Sequence, residues 1–184
     1  MFWSMVPLVV GCIVLAGLLG MCSFQPSGPS KGPVPTYDAA GALGSDAETL
    51  GFPIRMPVLE GWQPNSGRRD GIDGGRTDPA TGQSTRALVS NVGYITAAGK
   101  YLSLTQSNAD EDKLVRWISP SAYPTGAVEV GGRTWVTYED AGNGEPLWTT
   151  KIGATQLAIT GGGSPEEFQT LASATQTQSP LPAT

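Results

Sequence analysis

Histidine is absent from the 184 residues, and the only two cysteines, Cys12 and Cys22, fall inside one apolar run near the start. The rest of the chain therefore has no disulfide, no thiol nucleophile and no soft or imidazole ligand of the kind that zinc, copper and haem prefer. Serine hydrolysis in its usual form loses its base with histidine. A serine–lysine dyad built on Lys100, Lys113 or Lys151 has no motif behind it. Cations are also few, 11 against 16 acidic residues for a net charge of −5, and they are scattered. No basic stripe exists to neutralise a phosphate backbone, so nucleic acid is not an expected partner. No cofactor is expected.

What the chain does have is the run from Met5 to Phe24, MVPLVVGCIVLAGLLGMCSF, without a formal charge. At ~1.5 Å per helical residue it spans about 30 Å, the thickness of a bilayer's hydrocarbon core. Pro7 in a first helical turn removes only an N–H that has no partner there. The run reads first as a single-pass membrane anchor. A cleaved signal would need a basic start and small residues before a cut site, which Met1 to Ser4 and the following residues do not supply. An acylated lipoprotein signal is the other alternative. Cys12 has small residues ahead of it but too short an apolar stretch, while Cys22 has the length but Met21 at a position that wants a small side chain. Charge decides orientation weakly, because nothing before Met5 is basic and Lys31 lies on the far side. With only four residues in the N-terminal flank, the expected topology is a plasma-membrane protein with its C-terminal domain outside the cytoplasm.

The expected organisation is residues 1–24 as anchor, 25–35 as a Pro/Gly-rich tether, 36–175 as one extracytoplasmic domain, and 176–184 as a disordered tail. Thr36 is placed to cap a helix reaching Leu50, weakened by Gly41 and Gly44, with Ser45 and Glu48 offering a restart. Ile54 to Val58 reads as a short edge strand between Pro53 and Pro57. Gly61-Trp62 opens another strand that runs into residues 65–82, which hold five glycines and three aspartates and read as loop. Arg86 to Thr96 and Lys100 to Gln106 form a hairpin. In its second strand Leu102 and Leu104 alternate with Tyr101, Ser103 and Thr105, as in a strand buried on one side. Asn108 is placed to cap a helix of residues 109–118, with Leu114, Val115, Trp117 and Ile118 as its core face and Pro120 as its stop. Two further hairpins follow, turning at Gly131-Gly132 and Gly153-Ala154. A last helix starts at Ser164-Pro165-Glu166-Glu167, with Phe168, Leu171 and Ala172 as its apolar stripe. The fold class is α+β, one antiparallel sheet with three packing helices behind an N-terminal transmembrane helix.

Several groups could carry chemistry, and each has a simpler role. Asp110-Glu111-Asp112 and Glu166-Glu167 could be paired carboxylates, but both lie in helix first turns, where the dipole favours anions. Asp70, Asp73 and Asp78 fail the spacing of a calcium loop. Gly161-Gly162-Gly163 precedes a helix, yet Pro165 removes an N–H and two glutamates repel an anion there. The aromatics Trp62, Tyr94, Tyr101, Trp135 and Trp148 are the interaction candidates, although such residues more often fill cores and cross-strand pairs.

Taken in order, Gly61-Trp62, Val92-Gly93-Tyr94, the run from Gly99 to Ser107, Gly132-Arg133-Thr134-Trp135, Ile159-Thr160-Gly161, Pro165-Glu166-Glu167-Phe168 and Leu171-Ala172 resemble the actinobacterial family known as domain of unknown function 4245. Met1-Phe2-Trp3-Ser4-Met5 ahead of the apolar run belongs to the same likeness. The resemblance implies single-pass, envelope-facing domains and supplies no catalytic residues. The chain departs from it in lacking the basic leader usual before Trp3-Ser4-Met5, which suggests a start codon placed too late. The expected function is a non-catalytic envelope domain that binds another envelope or membrane protein. The alternatives are a lipid or small-ligand carrier and, behind it, a hydrolase using carboxylates alone.

Overall fold

The computed structural model describes residues 35–183 together with Val6. In chain order the elements are α1 (Ala39–Thr49), β1 (Gln63–Thr77), β2 (Ser84–Ile95), β3 (Tyr101–Ser107), α2 (Glu111–Ile118), β4 (Ala122–Val130), β5 (Arg133–Asp140), β6 (Pro146–Ile152), β7 (Thr155–Gly161) and α3 (Pro165–Gln176). The strands form one seven-stranded sheet in the order β1-β2-β3-β7-β6-β5-β4. Every neighbouring pair is antiparallel. Two meanders thus meet where β3 pairs with β7, and α2 carries the chain from the middle of the sheet to its far edge. The α+β class and the three helices agree with the sequence. The apolar run lies outside the described residues, Val6 excepted. Among the described residues, no helix is long and apolar enough to cross a membrane.

Side-chain alternation divides the core. On one face, α1 and α3 pack Leu43, Ala47, Phe168 and Leu171 onto Val92, Tyr94, Leu102, Leu104, Trp135, Trp148, Leu157 and Ile159. On the other, α2 packs Leu114 against Ala87, Ala109 and Ala158, with Ile72, Trp117 and Ile118 at the margin. The last helix is built as its sequence reads. Ser164 accepts from the Glu167 N–H, the Glu167 carboxylate accepts from the Ser164 N–H, and Pro165 opens the helix. The Gly131-Gly132 turn has φ of 55° and 77°, a left-handed pair that only glycine adopts without strain.

Six expectations are corrected. Residues 65–82 are mostly strand. β1 pairs with β2 along fifteen residues through two bulges, and only the Asp78-centred turn remains as loop. The glycines and charges read as loop suit a solvent-facing sheet edge, where they discourage pairing with other chains. Residues 54–58 are not a strand, because the prolines remove ladder donors and a side chain replaces the partner. Gln106 Oε1 accepts from the Arg55 N–H (2.9 Å) and its Nε2 donates to the Arg55 carbonyl (2.7 Å). The first helix is capped by Asp38, which accepts from the Gly41 N–H (3.0 Å), rather than by Thr36, and it runs through Ser45 without a restart. Asp110 stands at the N-terminus of α2, while Asn108 accepts from the Leu88 N–H (2.8 Å) on the neighbouring strand. β3 is buried on both faces beyond the exposed Tyr101, since it sits inside the sheet with helices on either side. Residues 176–183, expected as a disordered tail, are docked. Gln176 donates to the Val130 carbonyl (2.6 Å), and the Leu181 N–H donates to the Ile54 carbonyl (2.8 Å).

Candidate functional site

On the α2 face a cleft of about 390 Å³ opens between that helix and the strands β1, β2, β3 and β7. Register builds its floor. Ser66, Gly93, Ser103 and Thr160 stand opposite one another in one cross-strand row, and Arg68, Asn91, Thr105 and Ala158 in the next. The floor is mainly hydroxyl and amide because these strands place polar residues at alternate positions on this side. Asn91 Nδ2 donates to Thr105 Oγ1 (2.8 Å), which fixes the amide. Gly93 supplies the room. A Cβ there would run into the hydroxyls of Tyr101 and Ser66, which lie 3.4 Å apart across it.

The walls are aromatic and cationic. Trp117 and Ile118, at the C-terminal end of α2, form one side. The Arg68 guanidinium carbon lies 5.0 Å from the centre of the Trp117 ring, a cation–π contact that holds the cation at the cleft without a carboxylate. Among the described residues, Arg68 forms no ion pair. A smaller hollow of about 130 Å³ shares Ile118 and Thr160 with the cleft and reaches Asp140. There Asp140 accepts from the hydroxyls of Ser119 and Ser121 and from the backbone N–H groups of Gly142 and Asn143. The serine bonds above all hold its carboxyl at about 2, well below the usual carboxylate range.

Of the five aromatic candidates, only Tyr101 reaches the cleft, with 42% of its surface exposed. Tyr94, Trp135 and Trp148 are core residues of the opposite face, and Trp62 is half-buried against the same cluster. Burial pushes the Tyr94 phenol above its ordinary value. Trp135 Nε1 donates to Gln176 Oε1 (3.0 Å), and Trp148 tilts against Phe168 with ring centres 5.1 Å apart. Sequence reasoning missed Arg68, Asn91 and the hydroxyl floor. The signal within reach was Tyr101, Ser103 and Thr105 sharing one side of a strand.

The carboxylates have local tasks. Asp110 accepts from the N–H and hydroxyl of Thr77, both at 2.9 Å. Glu111 turns inward and accepts from Tyr138 (3.0 Å) and Thr149 (2.6 Å). Burial, then that carboxylate, pushes the Tyr138 phenol up to about 12. Asp73 pairs with Arg86, and Asp78 shapes its turn. Among the described residues, no three His, Cys, Asp or Glu side chains gather as metal ligands. A site of this make-up can bind a small polar group against an aromatic wall.

The sequence profile of the family described as "Protein of unknown function (DUF4245)" matches residues 1–175, and the chain belongs to that family. No curated protein and no solved structure matches the chain.

Proposed function

We propose that this member of the family is a non-catalytic binding domain, held at the cell envelope through residues 5–24, and that it takes a partner's polar segment or a small ligand in the α2 cleft. The observation that carries this is the cleft's chemistry. The Arg68 guanidinium, without an ion pair among the described residues, sits over Trp117, Tyr101 also lines the cleft, and hydroxyls and an amide form the floor. Its volume of about 390 Å³ falls in the range of roughly 300–1,000 Å³ common to ligand sites. Nothing in its lining pairs a nucleophile with a base, which favours recognition over bond breaking. A lipid carrier would need an enclosed apolar chamber, and this cleft is open and polar. The carrier reading is therefore restricted to small polar ligands.

The test is affinity purification of the tagged full-length protein from native membranes in mild detergent, beside Arg68→Glu and Tyr101→Ala variants. One partner or ligand retained by the wild type and lost from both variants is the expected result. Equal recovery by all three would place binding elsewhere. Turnover of a substrate that one side chain controls would replace this reading with an enzymatic one.

A further inference from the structure

Arg55 is only 8% exposed, and its Nε and Nη1 are buried without a hydrogen-bond partner. Among the described residues it has no ion pair. An unpaired buried cation is unfavourable, because it loses its hydration and gains no partner in return. A surface arginine escapes this by swinging its head into water. The backbone around Arg55 is pinned by β3, by β7 and by the segment after α3, while Nε and Nη1 stay buried. Gln106 on β3 holds both its N–H and its carbonyl, Thr155 on β7 donates to the Pro53 carbonyl (2.7 Å), and Leu181 donates to the Ile54 carbonyl.

The neighbour that matters electrically is another cation, Arg133 at the start of β5. Burial first, and then the Arg133 charge, pull the Arg55 guanidinium below its ordinary value. Arg133 is half-buried and uses Nη1 to donate to the Lys151 carbonyl (3.2 Å), so it is itself held in place. Strand alternation sets Arg133, and the Gln106 that clamps the Arg55 backbone, on the α1 and α3 face. Arg133 is two residues from Trp135, and Gln106, which clamps Arg55, is two from Leu104. This location is across the sheet from the α2 cleft and independent of it.

Two preorganised guanidinium groups, one buried with donors unmet, describe an anion site that lacks only the anion's charge. A carboxylate would neutralise one of them. A phosphate, with close to two negative charges near neutral pH and several acceptor oxygens, answers both. We propose that Arg55 and Arg133 bind a phosphate-class oxyanion, either free or as the head group of a phosphate ester.

The test uses the full-length chain in neutral detergent, with thermal unfolding in sodium phosphate against sodium chloride at equal ionic strength. The unfolding midpoint should rise with phosphate and saturate. In isothermal titration, Arg133→Gln should weaken phosphate binding at least about tenfold, the loss expected from one charge-assisted contact. Arg55→Met removes the buried charge while keeping length and apolar bulk. It should raise the midpoint in chloride and abolish the response to phosphate. A second arm places the chain in phosphatidylcholine vesicles with and without phosphatidic acid. A response to the lipid that Arg133→Gln loses, without one to inorganic phosphate, identifies a head-group site, and the converse identifies a soluble phosphate. The proposal is overturned if wild type responds to neither probe, or if Arg133→Gln responds as wild type does. A lower midpoint for Arg55→Met in chloride with the phosphate response intact would also overturn it. If Arg55→Met fails to fold, the Arg133→Gln titration decides alone.

Discussion

The two faces of the sheet are made by the same strands and differ in nearly every physical respect. Toward α1 and α3 the alternate residues are Leu102, Leu104, Leu157, Ile159, Trp135 and Trp148, and two helices close over them. Toward α2 the alternate positions are Ser103, Thr105 and Thr160, with Asn91 and Arg68 alongside, and one eight-residue helix covers part of them. Burial of apolar area is the dominant favourable term in folding, so stability is concentrated on the first face. The second is free to carry polar groups in fixed positions. A substitution should therefore act on folding or on recognition according to the face it touches.

The largest expected effect is on the α1 and α3 face. Trp135 is fully buried, and Trp135→Ala should cost about 3–5 kcal/mol of unfolding free energy. It also removes the indole donor to Gln176. Urea unfolding followed by circular dichroism measures this, and a loss under about 1 kcal/mol would mean that the face is not the centre of stability. Next in size is the polar tie within that face. Asp46, 3% exposed, pairs with Arg69 on β1 and accepts from Ser90 on β2. Arg69 remains half in water, so Asp46→Ala leaves no fully buried cation behind. The expected cost is about 1–3 kcal/mol, from the lost bonds and the unpartnered serine.

The two faces also differ in how far the sequence disclosed them. α3 was legible because its whole signal is local. Ser164, Pro165 and Glu167 act within one turn, and Phe168 and Leu171 fall on one stripe. The hairpins at Gly131-Gly132 and Gly153-Ala154 were legible for the same reason, since a tight turn demands glycine there. β1 was hidden because its partner, not its own composition, makes it a strand. Gly67 is open to the Tyr37 ring and Gly71 to the Arg86 head, contacts that no turn preference reveals. The Arg55 segment was misread because its strand-like bonds come from the Gln106 side chain, 51 residues away. The cleft draws on β1, β2, β3, β7 and α2, so only the Tyr101-Ser103-Thr105 alternation was visible in one stretch.

A sharper test of the division is a change that should alter recognition and spare folding. A Cβ at Gly93 first meets the ring and hydroxyl of Tyr101 and the hydroxyl of Ser66, and the backbone there needs no left-handed φ. Gly93→Ala should shift stability by less than about 1 kcal/mol, because those side chains can swing aside. Moving Tyr101 should at the same time reduce partner recovery in the affinity experiment. A large stability loss with recovery unchanged would reverse the roles assigned to the two faces.

The smallest effect separates the faces by pH. Asp140 ties the turn after β5 to Ser119 and Ser121, which follow α2, and these bonds favour its charged form in the folded chain. Its folded value of about 2 lies below the roughly 3.9 of an unfolded aspartate. The unfolded state therefore binds the proton more readily, and stability falls as pH drops. The contribution is complete above about pH 4 and fades as pH approaches the folded value. Asp140→Asn removes the titrating group, so its stability should be lower at neutral pH and change less between pH 4 and 2. The two proteins should converge at the acid end. Urea midpoints taken across that interval decide the matter. Parallel curves would mean that the acid sensitivity of the fold comes from carboxylates other than this one on the α2 side.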